Sequence, residues 1–261
     1  MASFTGSSIK DVYKDILHTS NSNTGIGSTI KQITCGDGDT TALHLSDRNL
    51  KVQPSTDSTT NTVICDAGGN PLLTVDSTND LVKAGIGQHN VTTQYAYFGI
   101  GHDTTNMLSN KHYALPFANT QGYMSVPSEM GTGTDPDTSL SISVQAYSRV
   151  LTYWYIMDNI TIDRVIWWAG ARQATGDTTR CHLMEYDVDS GNASTGGDLS
   201  NGVVIADGAD IINEGREQAY YQQMTISQAN VDAGKVVLFT FRSDSVNSDY
   251  TINATIKYHL R

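Results

Sequence analysis

Residues 72–87 read LLTVDSTNDLVKAGIG, and the fold class turns on them. Gly85 and Gly87 have the spacing of a phosphate-cradling loop. A dinucleotide fingerprint needs a further glycine three residues on, opening a helix whose N-terminus meets the phosphates. Asn90 stands at that place, and the β-branched and aromatic run VTTQYAYFGIG follows. Such residues form strands, and no Walker lysine accompanies the glycines. The pair is therefore expected to turn a corner between two strands.

The same texture extends outward. ALHLSD (42–47), LKVQP (50–54) and TVICDAGGNPLLTVD (62–76) alternate apolar and polar residues over short runs. DAGGNP and DSTND punctuate them with turn formers. Gly-Ile-Gly recurs at 25–27, 85–87 and 99–101, a weak internal repeat too irregular for a named solenoid. Each strand offers only about two or three apolar side chains, too few to offset chain entropy in one copy. Three copies wound around a common axis would each supply one wall of a shared core. Residues 25–109 are accordingly read as an intertwined trimeric β shaft.

Upstream, SSIKDVYKDILHT (7–19) has a helical period. Ile9, Val12, Tyr13, Ile16 and Leu17 fall on a single apolar stripe. Ser8 followed by Asp11 suits a capping box. A helix of about three turns is marginal alone, so the stripe needs a surface: its own copies, another protein, or the chain's own β core. Residues 1–24 are read as a short N-terminal amphipathic anchoring helix, with that stripe as attachment or oligomer interface.

Downstream, residues 110–137 hold Pro116, Pro127 and Pro136, three of the five prolines, and read as a connection. From 138 to 261 the strands lengthen, about eight in number, and suggest a jelly-roll-like β-sandwich. Its last strand alternates clearly, with Ile252, Ala254, Ile256 and Tyr258 on one side and Asn253, Thr255 and Lys257 on the other.

Composition agrees with a mainly β chain. Charged residues are 16%, against about 25% in ordinary domains, and Ser, Thr, Asn and Gly take their place. The net charge of −11 repels phosphate backbones and anionic lipid, so neither nucleic acid nor a membrane surface is an expected partner. MASFTGSSIK lacks the basic-then-apolar order of a secretory signal, and no run suits a transmembrane helix. Cys35, Cys65 and Cys181 form no Cys-x-x-Cys pair. They read as reduced thiols packed as small apolar residues, in a protein folded in a cytoplasm.

Signs of chemistry are sparse. DVDSGNASTGGD (187–198) puts Asp187, Asp189 and Asp198 at calcium-loop places. Asn192, however, sits where that loop needs glycine, so an acidic turn is expected. His44, His89, His102, His112, His182 and His259 have no ligand spacing, although His89 and His102 would approach the axis of a trimer. Glu185 and Asp187 share a strand face and are the only carboxylates with a case for glycosidic cleavage; a solvated face explains them equally. No Gly-x-Ser-x-Gly elbow occurs. Neither an enzyme, a cofactor nor a metal is expected. The run YWYIMDNITIDRVIWW (153–168) sets Trp154, Trp167 and Trp168 either in the core and at subunit interfaces or on a sugar-stacking surface.

Two longer stretches carry a resemblance. LSDRNLKVQPSTDSTTNTVICDAGGNPLLTVDSTNDLVKAGIG (45–87) resembles the threaded β segments of tailed-bacteriophage fibre proteins. NVDAGKVVLFTFRSDSVNSDYTINATIKYHL (230–260) resembles the end of β-sandwich domains in virion proteins of marine phages. The resemblance implies a homotrimeric virion component, a fibre or decoration protein assembled in the host cytoplasm. It would attach by its N-terminal region to other virion proteins of capsid, collar or tail. A receptor-binding fibre or spike recognising host glycan is the alternative, and a polysaccharide depolymerase comes third. The family has no shared catalytic residues to carry over.

Overall fold

The computed structural model describes residues 13–19, 25–101, 107–118, 128–141, 149–172, 175–192, 196–245 and 249–261. Strand dominates, and among the described residues no helix reaches seven residues. The chain divides into two compact units, Met1–Val91 and Thr92–Arg261.

The first unit contains two antiparallel meanders of four strands each. One runs through His18–Thr19, Lys31–Thr34, Thr40–Leu45 and Leu50–Val52. The other runs through Thr62–Cys65, Pro71–Asp76, Leu81–Ala84 and His89–Asn90. Turn chemistry sets both. In DAGGNP, the Asp66 carboxylate accepts the backbone N–H of Gly68 at 2.8 Å and of Asn70 at 2.9 Å, fixing the hairpin as Asx turns do. Gly85 sits at φ +73° and turns the chain so that Ala84 pairs with His89; an L side chain there would be strained. The corner expected at 85–87 is present. The motif at 99–101 differs, because Gly99 and Ile100 lie inside a strand, paired with Asn253 and Ile252. The recurrence is therefore not a structural repeat.

Burial separates the two units sharply. Among the described residues from 25 to 91, Ile33 is the one apolar side chain that is fully covered. Of the N-terminal segment expected to be helical, the described part forms a 3-10 turn, Tyr13–Asp15, followed by the strand His18–Thr19.

Eight principal strands make the second unit: β1 (Thr93–Ile100), β2 (Lys111–Ala114), β3 (Ile160–Arg172), β4 (Thr178–Asn192), β5 (Gly196–Asp207), β6 (Glu217–Gln223), β7 (Val236–Ser243) and β8 (Asp249–Leu260). They form two sheets, ordered β6-β3-β8-β1 and β2-β7-β4-β5, with short strands added at their margins. Every pairing is antiparallel. The main interior draws on both sheets: Phe98 from β1, Val165 and Trp167 from β3, Leu183 from β4, Phe239 and Phe241 from β7, and Ile252, Ala254 and Ile256 from β8. The alternation in the last strand thus carries through to the core. β4 and β5 pair antiparallel, with Asp189 opposite Asp198 and Asp187 opposite Ser200, so these aspartates lie on strands and not in a helix-flanked calcium loop.

A second cluster lies on the other side of the β2-β7-β4-β5 sheet. Ala114, Met184, Tyr186, Val236 and Leu238 project there and are covered by Met130 and Leu140. Hydrogen bonds hold this cover down: Tyr186 Oη donates to Asp137 O at 2.7 Å, and Gly202 N to Thr138 O at 2.8 Å. The segment 110–137, expected to be a connection, therefore contributes β2 and the roof of a second core. The sandwich also begins at Thr92 rather than at 138. β1 reads as a strand in the sequence, but nothing local to it or to β2 shows that both belong to the sandwich.

Candidate functional site

Register decides what the first unit exposes. Leu43 pairs with Val52 and Leu45 with Leu50, so these four side chains share one face of the first meander. Leu50 is 66% exposed. In the second meander, Ile64 pairs with Leu73, Leu73 with Ala84, and Val75 with Val82, again one apolar face. Ile64 is 53% exposed, and Val82 is exposed beside it. Each meander therefore presents a stripe of aliphatic side chains that are exposed or half-buried.

The opposite face of the second meander is polar and anchored. The covered Asp76 carboxylate accepts from Lys83 Nζ at 2.7 Å and from Asn79 Nδ2 at 2.9 Å. Lys83 first, and Asn79 next, hold its pKa down at about 2.

Of the N-terminal stripe, Ile9 and Val12 lie outside the described residues. Tyr13 and Leu17 are exposed and Ile16 half-buried. The Tyr13 backbone lies so close to Gly36 that a Cβ there would stand 2.0 Å from Tyr13 O. The turn is thus seated against the first meander, its tyrosine ring lying on Gly36, partly exposed, and stacked near His18 at 6.0 Å.

The three tryptophans part company. Trp154 is buried, stacked on Phe117 at 6.0 Å and against Tyr258 at 4.9 Å. Trp167 is fully buried, its Nε1 donating to Gln222 Oε1 at 3.3 Å. Trp168, one position on and hence on the other face of β3, is 52% exposed and stacks on Tyr221 at 5.0 Å. A joint tryptophan surface does not form; Trp154 and Trp167 are core. Tyr221 was not singled out in the sequence, because only the register of β6 on β3 brings it to Trp168.

Glu185 and Asp187 are engaged by cations and amides. Lys235 Nζ pairs with Asp187 and lies 3.4 Å from Glu185. Asn201 donates to Asp187 at 2.8 Å and Gln228 to Glu185 at 2.7 Å. Lys235, then Asn201, lowers the Asp187 pKa, so that carboxyl is held in its charged form and not as a proton donor.

His112 and His182 are both completely buried, their rings 5.1 Å apart. His112 Nε2 meets Gly133 O at 3.1 Å, while its Nδ1 and both nitrogens of His182 find no aligned partner. Asp207 and Asp135 carboxylate oxygens stand 3.3 and 3.5 Å from His182 Nε2. Burial, followed by the neighbouring His112, presses the His182 pKa down to about 4. His89 is exposed, and His102 lies outside the described residues. Among the described residues no group of three or more His, Cys, Asp or Glu side chains is placed to hold a metal ion. The thiols also differ from expectation: Cys181 is buried, Cys35 half-buried and Cys65 exposed on an edge strand. No helix among the described residues is long and apolar enough to cross a membrane.

No protein-family model matches the chain, and no curated protein matches it significantly.

Proposed function

We propose that this chain is a homotrimeric structural protein of a phage virion, a short fibre or decoration protein attached through its N-terminal region to capsid or collar. The observation that carries the reading is the pair of exposed or half-buried aliphatic faces, Leu43/Leu45/Leu50/Val52 and Ile64/Leu73/Val75/Val82/Ala84, in a unit whose described residues include one covered apolar side chain, Ile33. Sheets exposed in this way need a partner to offset chain entropy. A rotationally related copy offers matching faces at no cost in extra sequence, and three copies around one axis are the simplest arrangement that encloses them. The strand orders β6-β3-β8-β1 and β2-β7-β4-β5 favour a jelly roll for the second unit. The exposed Tyr13 and Leu17 suit attachment. In this reading the protein has no catalytic role and no cofactor, and its carboxylates near Lys235 are structural.

Sedimentation of the intact protein tests the assembly. The expected species has three times the chain mass of 28.2 kDa; a stable, folded monomer would sink the proposal. Immunogold labelling of whole particles tests the location. A second reading, recognition of a host-surface glycan by the sandwich, draws support from the exposed Trp168–Tyr221 pair.

A further inference from the structure

The outward face of the β6-β3-β8-β1 sheet carries groups that the sandwich does not use to fold. Its interior is closed by Val165, Trp167, Ala169 and their partners. On the other side, Trp168 and Tyr221 are cross-strand neighbours, 52% and 60% exposed, with rings inclined by 29°. Two exposed aromatic rings so arranged stack on one another and stand out from the sheet as an apolar step.

In the next row of the same face, Ala219, Gly170 and Thr251 pair across β6, β3 and β8. With Arg172, Glu217 and Gln218 they line a shallow cavity of about 380 Å³, within the range of small-ligand sites. Its floor is low because Gly170 has no side chain; a Cβ there would meet nothing closer than Thr251 O at 3.9 Å. The rim holds Thr251 and an Arg172–Glu217 pair separated by 3.5 Å.

These features select a ligand class. An aromatic step suits a molecule with one apolar C–H face, and the rim suits one bearing many hydroxyls. The charged rim groups cancel, and the whole chain carries −11, so an anionic ligand finds no complement. An apolar peptide anchor would need a greasy pocket, whereas the floor here is Ala, Gly and Thr. We infer that this trough binds a neutral hexopyranose glycan, one ring stacked on Trp168 and the next lying over Gly170. The inference deepens the glycan-recognition reading above and does not depend on the trimeric one.

The test uses the intact protein and short neutral oligosaccharides of glucose, galactose and mannose. Trp154 and Trp167 are buried, so a ligand at this site changes emission from Trp168 alone. A saturable change with at least one sugar series is expected. By calorimetry, Trp168→Ala and Gly170→Val should each weaken that sugar by about tenfold or more. Gly170→Val fills the floor at ordinary contact distance and should leave the urea midpoint unchanged, which separates blocking from unfolding. Absence of binding in every series overturns the inference, as does binding that neither substitution weakens. So does a Trp168→Ala variant that sediments at a different mass from the parent, since the face would then be a contact between chains. The parent's own mass tests the trimeric reading separately.

Discussion

Two buried titratable groups both make the fold less stable in acid, over different pH windows. His182 has a folded pKa near 4, below the ordinary value of about 6.5, because burial penalises its cation. The unfolded chain therefore binds the extra proton first. Stability is full above about pH 6.5 and falls as the pH drops toward 4, by on the order of 2 kcal/mol. The neighbouring His112 and then Arg180 add to the penalty, and Asp207 and Asp135 oppose it. Urea midpoints measured from pH 7 to 4 should fall in the parent and fall much less in His182→Leu. Asp76 behaves as a depressed carboxylate. Its contribution is present above about pH 4 and is lost as the pH falls through about 2. Amide protection factors in strands 71–76 and 81–84 should fall below pH 4 in the parent, and in Asp76→Asn they should be low already at pH 7.

Strand faces separate residues that look alike in sequence. Trp167 and Trp168 are neighbours, yet Trp167→Ala should cost about 3–5 kcal/mol as a core truncation, while Trp168→Ala should stay within about 0.5 kcal/mol; chemical denaturation measures both. The meanders allow a sharper contrast. For an isolated chain, Leu50→Asp and Ile64→Asp are surface changes of small effect. If these faces meet sister chains, each buries an unpaired carboxylate at the contact and should abolish the trimer in sedimentation. The period-two pattern in DLVKAGIG and YTINATIKYHL was legible because alternation is a local property of a pleated strand. The partner of each strand was not. Tyr221 beside Trp168, and Lys235 between Glu185 and Asp187, depend on pairings between strands distant in the chain. β1 and β2 were assigned to shaft and connection because nothing local in YAYFGI or KHYA tells which sheet will accept them.

For the molecule entire, the contrast lies between a unit with an interior and a unit without one. Both clusters of covered apolar residues belong to Thr92–Arg261. A fragment of residues 92–261 should therefore unfold cooperatively and sediment as a monomer, whereas a fragment of residues 1–91 should fold only as an oligomer or remain unfolded. Circular dichroism and sedimentation of the two fragments check this directly.

Composition and alternation were enough to establish a β protein, to make Gly85 a corner, and to mark the middle of the chain as poor in coverable apolar surface. Those are properties of short windows, where side-chain chemistry and backbone preference act over a few residues. Which tryptophan is buried, where the sandwich starts, and which histidines stand face to face came only with the folded chain. Each rests on register between strands distant in the chain, as where His259 meets Thr93, and register is selected by packing the whole interior at once.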